Sequence, residues 1–330
     1  MRKPVRIIKA EEIRKYYSMH KAIDAMARAF SSLSSGESYV PLRYVSKLPS
    51  GKMLMLFKPA LTEKDDRLSV KFLTQRKNNP VKGVPTIQGI VILIDSGTGE
   101  ILSVMDGEYL TALRTGAAGG LATRLLARED SRTMALFGCG AQGRTQLEAV
   151  LCERDIKKVY VFDKYREAAD LLIGEMEKKY QIEMVYSCDT SILNEVDIIA
   201  TATNSTEPLF KRDELNSGVH INAIGSFQPQ MQELDPILIR DAKVYVDQLE
   251  SCLKESGDLI KPISDGIIDS THIMGEIGDI CLDKIAARDN GEEITIFKSV
   301  GVAIQDLAVA ADIYDLALKE SYGQDIDLFG

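Results

Sequence analysis

The sequence predicts an α/β protein in which a small α+β domain with an antiparallel sheet precedes a domain with a doubly wound parallel sheet. Residues 39–106 carry consecutive strand-like segments without helices between them, which is typical of an antiparallel sheet. From about residue 130, strand and helix patterns alternate, which is typical of a parallel sheet. A length of 330 residues is long for one hydrophobic core and favours two domains.

The first part of the chain begins with a helical pattern over residues 10–34, which ends at Gly36. Strand-like segments follow, and Asp95–Gly99 predicts a hairpin turn between the last two of them. A further helical pattern at 109–127 carries glycine and alanine on a face suited to close packing. The strand-like segments are 52–57, 67–73, 88–94 and 100–105.

The second part of the chain alternates between strands and helices, with the clearest helical patterns at 143–152 and 166–179. The last segment, 297–317, predicts a helix rich in small residues that returns to the first domain. The strand candidates are 133–138, 158–162, 182–186, 196–201, 219–224 and 243–246.

Bulk composition limits the classes of partner. The chain is 45% hydrophobic and 27% charged, which is typical of a globular protein. A net charge of −9 argues against nucleic acid and anionic lipid, because both attract clustered positive charge. The N-terminus has no signal-peptide core, and no apolar run reaches bilayer length. We therefore expect a cytoplasmic protein that binds neither membranes nor nucleic acids.

Cysteine and histidine are too scattered to predict a metal site. The odd number of cysteines and their lack of paired spacing favour free thiols over disulfides. The three histidines are far apart, so we expect structural or surface roles. These residues are Cys139, Cys152, Cys188, Cys252 and Cys281, with His20, His220 and His272.

A G-x-G-x-x-G motif at 138–143 lies between an apolar strand and a helix. This arrangement places a helix N-terminus where it can bind a pyrophosphate. We expect Gly138 to permit the turn, Gly140 to let the phosphate approach, and Gly143 to let helix and strand pack closely. Asp163 ends the next strand 25 positions after Gly138, near where a ribose-binding acid is expected. The motif and the acid predict a Rossmann-type dinucleotide site.

Several motifs in this order resemble the ornithine cyclodeaminase/mu-crystallin family over essentially the whole chain. The most specific are Leu113–Ala117, Gly138–Gln142, Asn222–Gly225, Lys254–Asp258 and Phe297–Gly301. The resemblance implies that residues 1–115 with 303–330 bind substrate and form a homodimer. It implies that residues 116–302 form an NAD-binding Rossmann domain. Enzymes of the family act on small α-amino or α-imino carboxylates.

Three basic residues match substrate-binding positions of the family. Arg43 precedes the first of the long strands, and Arg114 lies in the helix that leads into the second domain. The planar guanidinium fork binds both oxygens of a carboxylate. The residues alone leave two interpretations of Lys71: a charged gatekeeper on an edge strand, or a desolvated base with a lowered pKa. The resemblance implies the catalytic lysine.

On the cofactor side, Asp163 is expected to accept hydrogen bonds from the ribose hydroxyls and to repel a 2′-phosphate. Lys164 softens that exclusion, but relatives that use the phosphorylated cofactor resemble one another in an Asn-Arg-Thr sequence where this chain has Asp-Lys-Tyr. NAD(H) is therefore favoured over NADP(H). The other cofactor contacts that motif and resemblance imply are Thr86, Arg114, Gly138, Gly140, Ala141, Gln142, Lys164, Thr203, Ala223, Ile224, Gly225, Ser226 and Ser299.

One departure from the family concerns the loop after Gly225. Ornithine cyclodeaminases resemble one another there in a Gly-Asp-x-Pro-Gly-Lys pattern, and this chain has Phe227 and Met231 in place of the aspartate and the lysine. Phenylalanine cannot transfer a proton. Asp235, eight positions beyond Phe227, is either a substitute or, as we favour, a surface residue or helix N-cap.

The departure favours an NAD(H)-dependent oxidoreductase acting at the C–N bond of a small amino or imino acid. Alanine dehydrogenase and Δ1-pyrroline-2-carboxylate reductase are the two forms that the resemblance suggests. An ornithine cyclodeaminase, which releases ammonia and gives proline, is one alternative. A non-enzymatic ligand-binding protein like the hormone-binding crystallin is another.

Overall fold

The computed structural model describes residues 3–41, 43–48, 50, 53–62, 66–76 and 79–328. Its strands are β1 (Val5–Ile8), β2 (Ser38–Tyr39), β3 (Tyr44–Lys47), β4 (Leu54–Thr62), β5 (Arg67–Gln75), β6 (Ile87–Asp95), β7 (Ile101–Asp106), β8 (Thr133–Phe137), β9 (Lys158–Phe162), β10 (Glu183–Tyr186), β11 (Ile198–Thr201), β12 (His220–Ala223), β13 (Lys243–Val246), β14 (Ile273–Glu276), β15 (Thr295–Lys298) and β16 (Gln324–Ile326). Its α-helices are α1 (Ala10–Tyr16), α2 (Met19–Ser34), α3 (Gly107–Leu126), α4 (Ala141–Glu153), α5 (Arg166–Tyr180), α6 (Pro236–Asp241), α7 (Leu249–Glu255), α8 (Gly257–Ser264), α9 (Ile277–Cys281) and α10 (Ala303–Glu320). The predicted start of a strand at Lys52 lies outside the described residues.

The chain divides into two compact units, residues 1–114 with 302–330 and residues 115–301. Each boundary differs by one residue from the boundary that the sequence predicts. None of the helices in the described part of the chain combines the length and apolar composition that a membrane crossing requires. All five cysteines are free thiols, as predicted.

The first unit is built on a largely antiparallel sheet with the strand order β16-β1-β7-β6-β5-β4-β2, in which β3 also pairs with β4. Strand β5 lies between β4 and β6, away from either edge. Helix α10 packs on β4, β5 and β6, and on α2. Side chains alternate along β5, so Ser69 and Lys71 are buried while Val70 and Phe72 remain partly exposed.

The hairpin turn predicted at Asp95–Gly99 joins β6 to β7. The N–H of Asp95 donates to the carbonyl of Glu100 at 2.9 Å. Oδ1 of Asp95 accepts from the N–H and the hydroxyl of Thr98, and Gly99 has a φ of +75°. A left-handed residue of this kind closes the turn without a steric cost only when it is glycine.

Two helix predictions were wrong in their bounds. The helical pattern of residues 10–34 forms two helices, because Tyr17 and Ser18 adopt extended backbone and the Ser18 hydroxyl caps α2 by accepting from the N–H of Lys21. The segment 297–317 is not helical throughout. Phe297 and Lys298 belong to β15, and α10 begins only at Ala303.

The second unit is a doubly wound parallel sheet with the strand order β10-β9-β8-β11-β12-β15-β13-β14. The order reverses beside β8, because β9 and β10 extend to one side of it and β11 and β12 to the other. Ligands of such sheets bind at this switch point, beyond the carboxyl ends of the strands. The six predicted strands are present, whereas β14 and β15 were missed.

The small residues predicted in α3 permit a close helix contact within the second unit. A Cβ atom at Gly116 would lie 2.5 Å from the carbonyl oxygen of Thr145, and one at Gly119 would lie 2.0 Å from Oε1 of Gln146. Thr145 and Gln146 belong to α4, so larger side chains on α3 would displace the helix that follows the glycine motif.

Candidate active site

Lys71 is a buried lysine in the middle of the first sheet, with 1% of its surface exposed. Its Nζ donates to Oδ1 of Asp306 at 2.8 Å and to the Thr111 hydroxyl at 3.1 Å. The edge-gatekeeper interpretation is wrong, because β5 has a partner strand on both sides. Burial, together with the positive charge of Arg114, lowers the pKa of Lys71 to about 7, while Asp306 acts in the opposite direction.

Asp306, in the first turn of α10, is the carboxylate that organises this cluster. Its Oδ1 also accepts from Nε of Arg114 at 2.9 Å. Burial by itself raises the pKa of Asp306, but the charges of Lys71 and Arg114 outweigh it and hold the pKa below its ordinary value. Oδ2 of Asp306 is buried and has no hydrogen-bond partner within the described residues. Sequence reasoning missed this residue, although an acid among Ala303, Ile304 and Leu307 was a signal.

Further basic side chains surround the same carboxylate. Nη1 of Arg114 donates to Oε1 of Gln305 at 2.8 Å. Arg43, just before β3, is close enough for its charge to lower the pKa of Lys71. Lys58 lies directly opposite Lys71 on β4 and is also buried. Burial and these cations lower the pKa of Lys58, a residue that sequence reasoning missed.

This cationic cluster, defined by Arg43, Lys58, Lys71 and Arg114 around Asp306, has the chemistry of a carboxylate site. Guanidinium groups bind carboxylates through paired N–H donors. A lysine whose pKa is near 7 can both donate and accept a proton at physiological pH. The structure thus brings together the three substrate residues that the sequence predicts.

Thr86 lies in the loop before β6, where its carbonyl accepts from the N–H of Arg76 at 2.8 Å. It belongs to the first unit, as does Arg114. Their contacts with a cofactor stay predictions.

The glycine motif of the second unit has the geometry of a dinucleotide loop. Gly138 has a φ of +98°, and a Cβ there would lie 2.6 Å from the carbonyl oxygen of Ala202. A Cβ at Gly143 would lie 1.9 Å from the carbonyl oxygen of Gly138. By contrast, a Cβ at Gly140 would have no described atom within 4 Å, so the space beside the backbone is open.

This loop fits a bound pyrophosphate. Gly140 is the N-cap of α4, and no described side chain caps the first-turn N–H groups. Oε1 of Gln142 is buried and also lacks a hydrogen-bond partner among the described residues. The N–H groups and helix dipole that start at Ala141 favour an anion.

Asp163 lies beside this loop at the end of β9. Its Oδ2 accepts from the N–H of Cys139 at 2.8 Å, and its Oδ1 accepts from the N–H of Tyr165 at 2.9 Å. These donors fix the carboxylate next to the glycine motif. Lys164 is exposed, with its Nζ over the ring of Tyr165.

The remaining predicted cofactor residues lie near the carboxyl ends of β11, β12 and β15. Thr203 follows β11, and its N–H and hydroxyl donate to Oε1 of Glu233 at 2.6 and 2.7 Å. Gly225 follows β12 and donates its N–H to Oε2 of the same carboxylate at 2.7 Å. Ser299 follows β15 and donates its hydroxyl to Oδ2 of Asp247 at 2.7 Å. Ala223, Ile224 and Ser226 are buried around the end of β12.

The loop that departs from the cyclodeaminase pattern carries apolar side chains at both altered positions. Phe227 packs against the hydrophobic core of the second unit, and Met231 is buried. Asp235 is the N-cap of α6, where its Oδ1 accepts from the N–H of Ile237 at 3.0 Å, so the N-cap interpretation is confirmed. Neither Phe227 nor Met231 can supply the proton that the cyclodeaminase pattern requires.

His220 belongs to β12 and forms its side-chain hydrogen bonds within the second sheet. The ring nitrogens of His220 lie 3.0 Å from the Thr295 hydroxyl and 3.2 Å from Oδ1 of Asn222, in a fully buried position. Within the described ranges, no group of histidine, cysteine, aspartate and glutamate side chains has the arrangement to hold a metal ion.

Comparisons with known proteins agree over nearly the whole chain. The model of the "Ornithine cyclodeaminase/mu-crystallin family" matches residues 5–321. Δ1-pyrroline-2-carboxylate reductase from Bacillus cereus is 38% identical over 97% of this chain and 99% of its own length. Alanine dehydrogenase from Archaeoglobus fulgidus is 35% identical over 98% of both chains. The structure of Thermococcus litoralis Δ1-pyrroline-2-carboxylate reductase in complex with NADH and L-proline is 37% identical, with a TM-score of 0.93 over 98% of this chain and 100% of that one.

Proposed function

The chain belongs to the ornithine cyclodeaminase/mu-crystallin family, and on this basis we propose that it is an NAD(H)-dependent oxidoreductase acting at the C–N bond of a small amino or imino acid. The observation that carries the proposal is the buried contact of Lys71 with Asp306, beside Arg114. Relatives named Δ1-pyrroline-2-carboxylate reductase and alanine dehydrogenase share more than a third of its residues. Δ1-Pyrroline-2-carboxylate is our first choice of substrate, and iminopyruvate is the second.

In this proposal the cationic cluster binds and protonates the substrate. Arg43 and Arg114 hold the carboxylate through their guanidinium N–H groups. Lys71 donates a proton to the imine nitrogen in the reductive direction and accepts one from the amine in the oxidative direction. NADH, when bound, supplies the hydride that the substrate Cα receives. One hydride and one proton convert the C=N bond into CH–NH, so atoms and charge balance.

The glycine motif and Asp163 would hold the dinucleotide. The N-terminus of α4 suits the pyrophosphate, and the fixed carboxylate of Asp163 suits the ribose hydroxyls. A 2′-phosphate near Asp163 would meet a like charge. We therefore propose NAD(H) as the preferred cofactor, and the relative from Thermococcus litoralis was solved with NADH.

We further propose a homodimer that buries the open face of the first sheet. Apolar side chains form continuous rows across that face, such as Tyr44, Phe57, Phe72 and Ile90, which lie opposite one another on β3 to β6. Tyr44 is 64% exposed, and Ile90 is 38% exposed. Contiguous apolar surface of this kind is typical of a protein interface. A similar solved structure, that of an archaeal alanine dehydrogenase 34% identical to this chain, is a dimer with bound NAD.

The function is tested by offering the purified protein NADH or NADPH with Δ1-pyrroline-2-carboxylate, and separately with pyruvate and ammonium. We expect NADH oxidation with the cyclic imino acid, and weaker or no use of NADPH. Release of ammonia from ornithine without net NADH consumption would establish the cyclodeaminase instead. Tight NADH binding without turnover of any of these compounds would identify a binding protein.

A further inference from the structure

Glu233 is a fully buried carboxylate between β12 and α6 that has no place in the function proposed above. Within the described residues, every hydrogen bond to its side chain comes from the end of β11 or from the loops after β11 and β12. The donors are the Thr201 hydroxyl at 2.8 Å, the Thr203 N–H at 2.6 Å, the Thr203 hydroxyl at 2.7 Å, the Gly225 N–H at 2.7 Å and the Ser226 N–H at 3.2 Å. Two separate loops thus share one acceptor group.

The Glu233 carboxylate and the loops after β11 and β12 leave no room for a side chain at residue 225. A Cβ atom at Gly225 would lie 2.3 Å from Oε1 of Glu233 and 2.4 Å from the carbonyl oxygen of Thr203. Glycine is therefore required there by the approach of Glu233 and the neighbouring loop. The Glu233 carboxylate therefore links the two loops.

The backbone of Glu233 is bound by Asp258, which forms a buried ion pair with Lys298. The N–H groups of Glu233 and Leu234 donate to Oδ1 of Asp258 at 2.7 and 3.1 Å. Oδ2 of Asp258 accepts from Nζ of Lys298 at 3.0 Å, and neither side chain is exposed. Burial raises the pKa of Glu233, while Lys298 and the surrounding donors act against that rise.

The position of these loops in the sheet indicates what they serve. Strands β11 and β12 lie on one side of β8, and β9 with Asp163 lies on the other. A dinucleotide spans the switch point, so the loops after β11 and β12 belong to the half opposite the adenosine ribose. We propose that Glu233 is a positioning residue that fixes the nicotinamide half of the cofactor site. This inference rests on the proposed function.

The variant Glu233→Gln tests the proposal with almost no change of shape. In either amide orientation, an NH₂ group meets backbone N–H donors: that of Thr203 on one side, or those of Gly225 and Ser226 on the other. We expect NADH to bind roughly tenfold more weakly, and AMP, which fills the adenosine half alone, to bind within about twofold of wild type. Both affinities are measured by calorimetry on the full chain, together with the melting temperature.

Glu153→Gln is the matched control. Glu153 is also a mostly buried acid of the second unit, but it lies at the end of α4, where it binds the guanidinium of Arg124. It should change melting temperature without changing the ratio of the NADH and AMP affinities. Thr201→Val removes one donor to Glu233 from a buried strand position. Thr201→Val should also weaken NADH binding, but by a smaller factor than Glu233→Gln. It keeps the proposal testable if Glu233→Gln does not fold.

The possible results distinguish the positioning role of Glu233 from the proposed oxidoreductase function. Equal losses of AMP and NADH affinity, or unchanged NADH affinity in both Glu233→Gln and Thr201→Val, would overturn the positioning role. A wild-type protein that binds NADH but reduces no imino acid would overturn the proposed function alone, because the affinity ratio still tests Glu233. A wild-type protein that binds no NADH would overturn both.

Discussion

Nζ of Lys71 and Oδ1 of Asp306 lie 2.8 Å apart, although the two residues are separated by 235 positions in the sequence. The contact joins an interior strand of the first sheet to the first turn of α10. Both side chains are buried, so Asp306 compensates the charge of Lys71, while Lys71 and Arg114 together compensate the charge of Asp306. Burial and Arg114 lower the pKa of Lys71, and a residue from the far end of the chain, Asp306, acts against that lowering.

Replacing Lys71 by alanine should abolish most turnover and spare the cofactor. Loss of the proton donor should lower kcat by roughly 10²- to 10⁴-fold. NADH affinity, measured by fluorescence titration, should stay within about twofold of wild type, a change of less than 0.5 kcal/mol. Lys47→Ala, at an exposed position of β3, is the control. Loss of NADH binding in Lys71→Ala would contradict the assigned role.

Replacing Asp306 by asparagine should move the pH profile of the reductive reaction. The protonated form of Lys71 is the proton donor, so kcat/KM should fall as pH rises through a pKa of about 7. Asp306 raises that pKa, and its loss should move the falling limb to lower pH. If kcat/KM falls at the same pH in wild type and in Asp306→Asn, the titrating group is not Lys71.

The Asp306→Asn variant should also be less stable by about 3 kcal/mol in denaturant unfolding, because Arg114 loses its charged partner.

Replacing Asp163 by serine should relax the choice of cofactor. Removal of the carboxylate removes the repulsion of a 2′-phosphate, and the ratio of kcat/KM for NADPH to that for NADH should rise by at least roughly tenfold. Asp155→Ser removes an exposed acid just before β9 and should leave the ratio unchanged. An unchanged ratio in Asp163→Ser would place the selectivity elsewhere.

His220 should make the protein less stable in mild acid. Burial, followed by the charge of Arg288, lowers the pKa of His220 from 6.5 to about 3. Between those values the unfolded chain binds a proton that the folded chain does not, so stability falls as pH drops below 6.5. The slope from this residue should be up to about 1.4 kcal/mol per pH unit. The free energy of unfolding, measured in urea at several pH values, should depend less steeply on pH in His220→Gln than in wild type. His20→Gln, on the exposed surface of α2, should keep the wild-type pH dependence.

Replacing Val70 by glutamate should disrupt the proposed dimer. Val70 lies on the open face of β5, between Pro59 on β4 and Ile92 on β6. A charge there cannot be desolvated against a second apolar sheet without a large cost. Light scattering after size-exclusion chromatography should report a monomer for Val70→Glu. Leu318→Glu, at an exposed site of α10, should keep the wild-type mass. A monomeric wild type would refute the dimer.

The patterns that depend on neighbouring residues were predictable from the sequence. The glycine motif, the strand that ends before Asp163 and the alternation of the second unit all follow from local spacing. Lys71 was found, and the resemblance favoured a catalytic role for it, but only the partner strands of β5 exclude the edge-strand interpretation. Asp306 and Glu233 were missed. An acid among apolar residues is a signal of a buried carboxylate, but its role becomes clear only when the donors that surround it are known. Lys58 was missed for the same reason, since its alignment with Lys71 depends on strand register.

The first unit is interrupted in sequence by the whole of the second unit, and this affects the order of events during synthesis. Strands β4 to β6 leave the ribosome long before α10, the helix that covers their buried face and supplies Asp306. Residues 115–301 are continuous and can complete their own core first. Until α10 is synthesised, the face of β4 to β6 that carries Lys58 and Lys71 has no helix to cover it, and uncovered apolar surface of this kind is prone to aggregation.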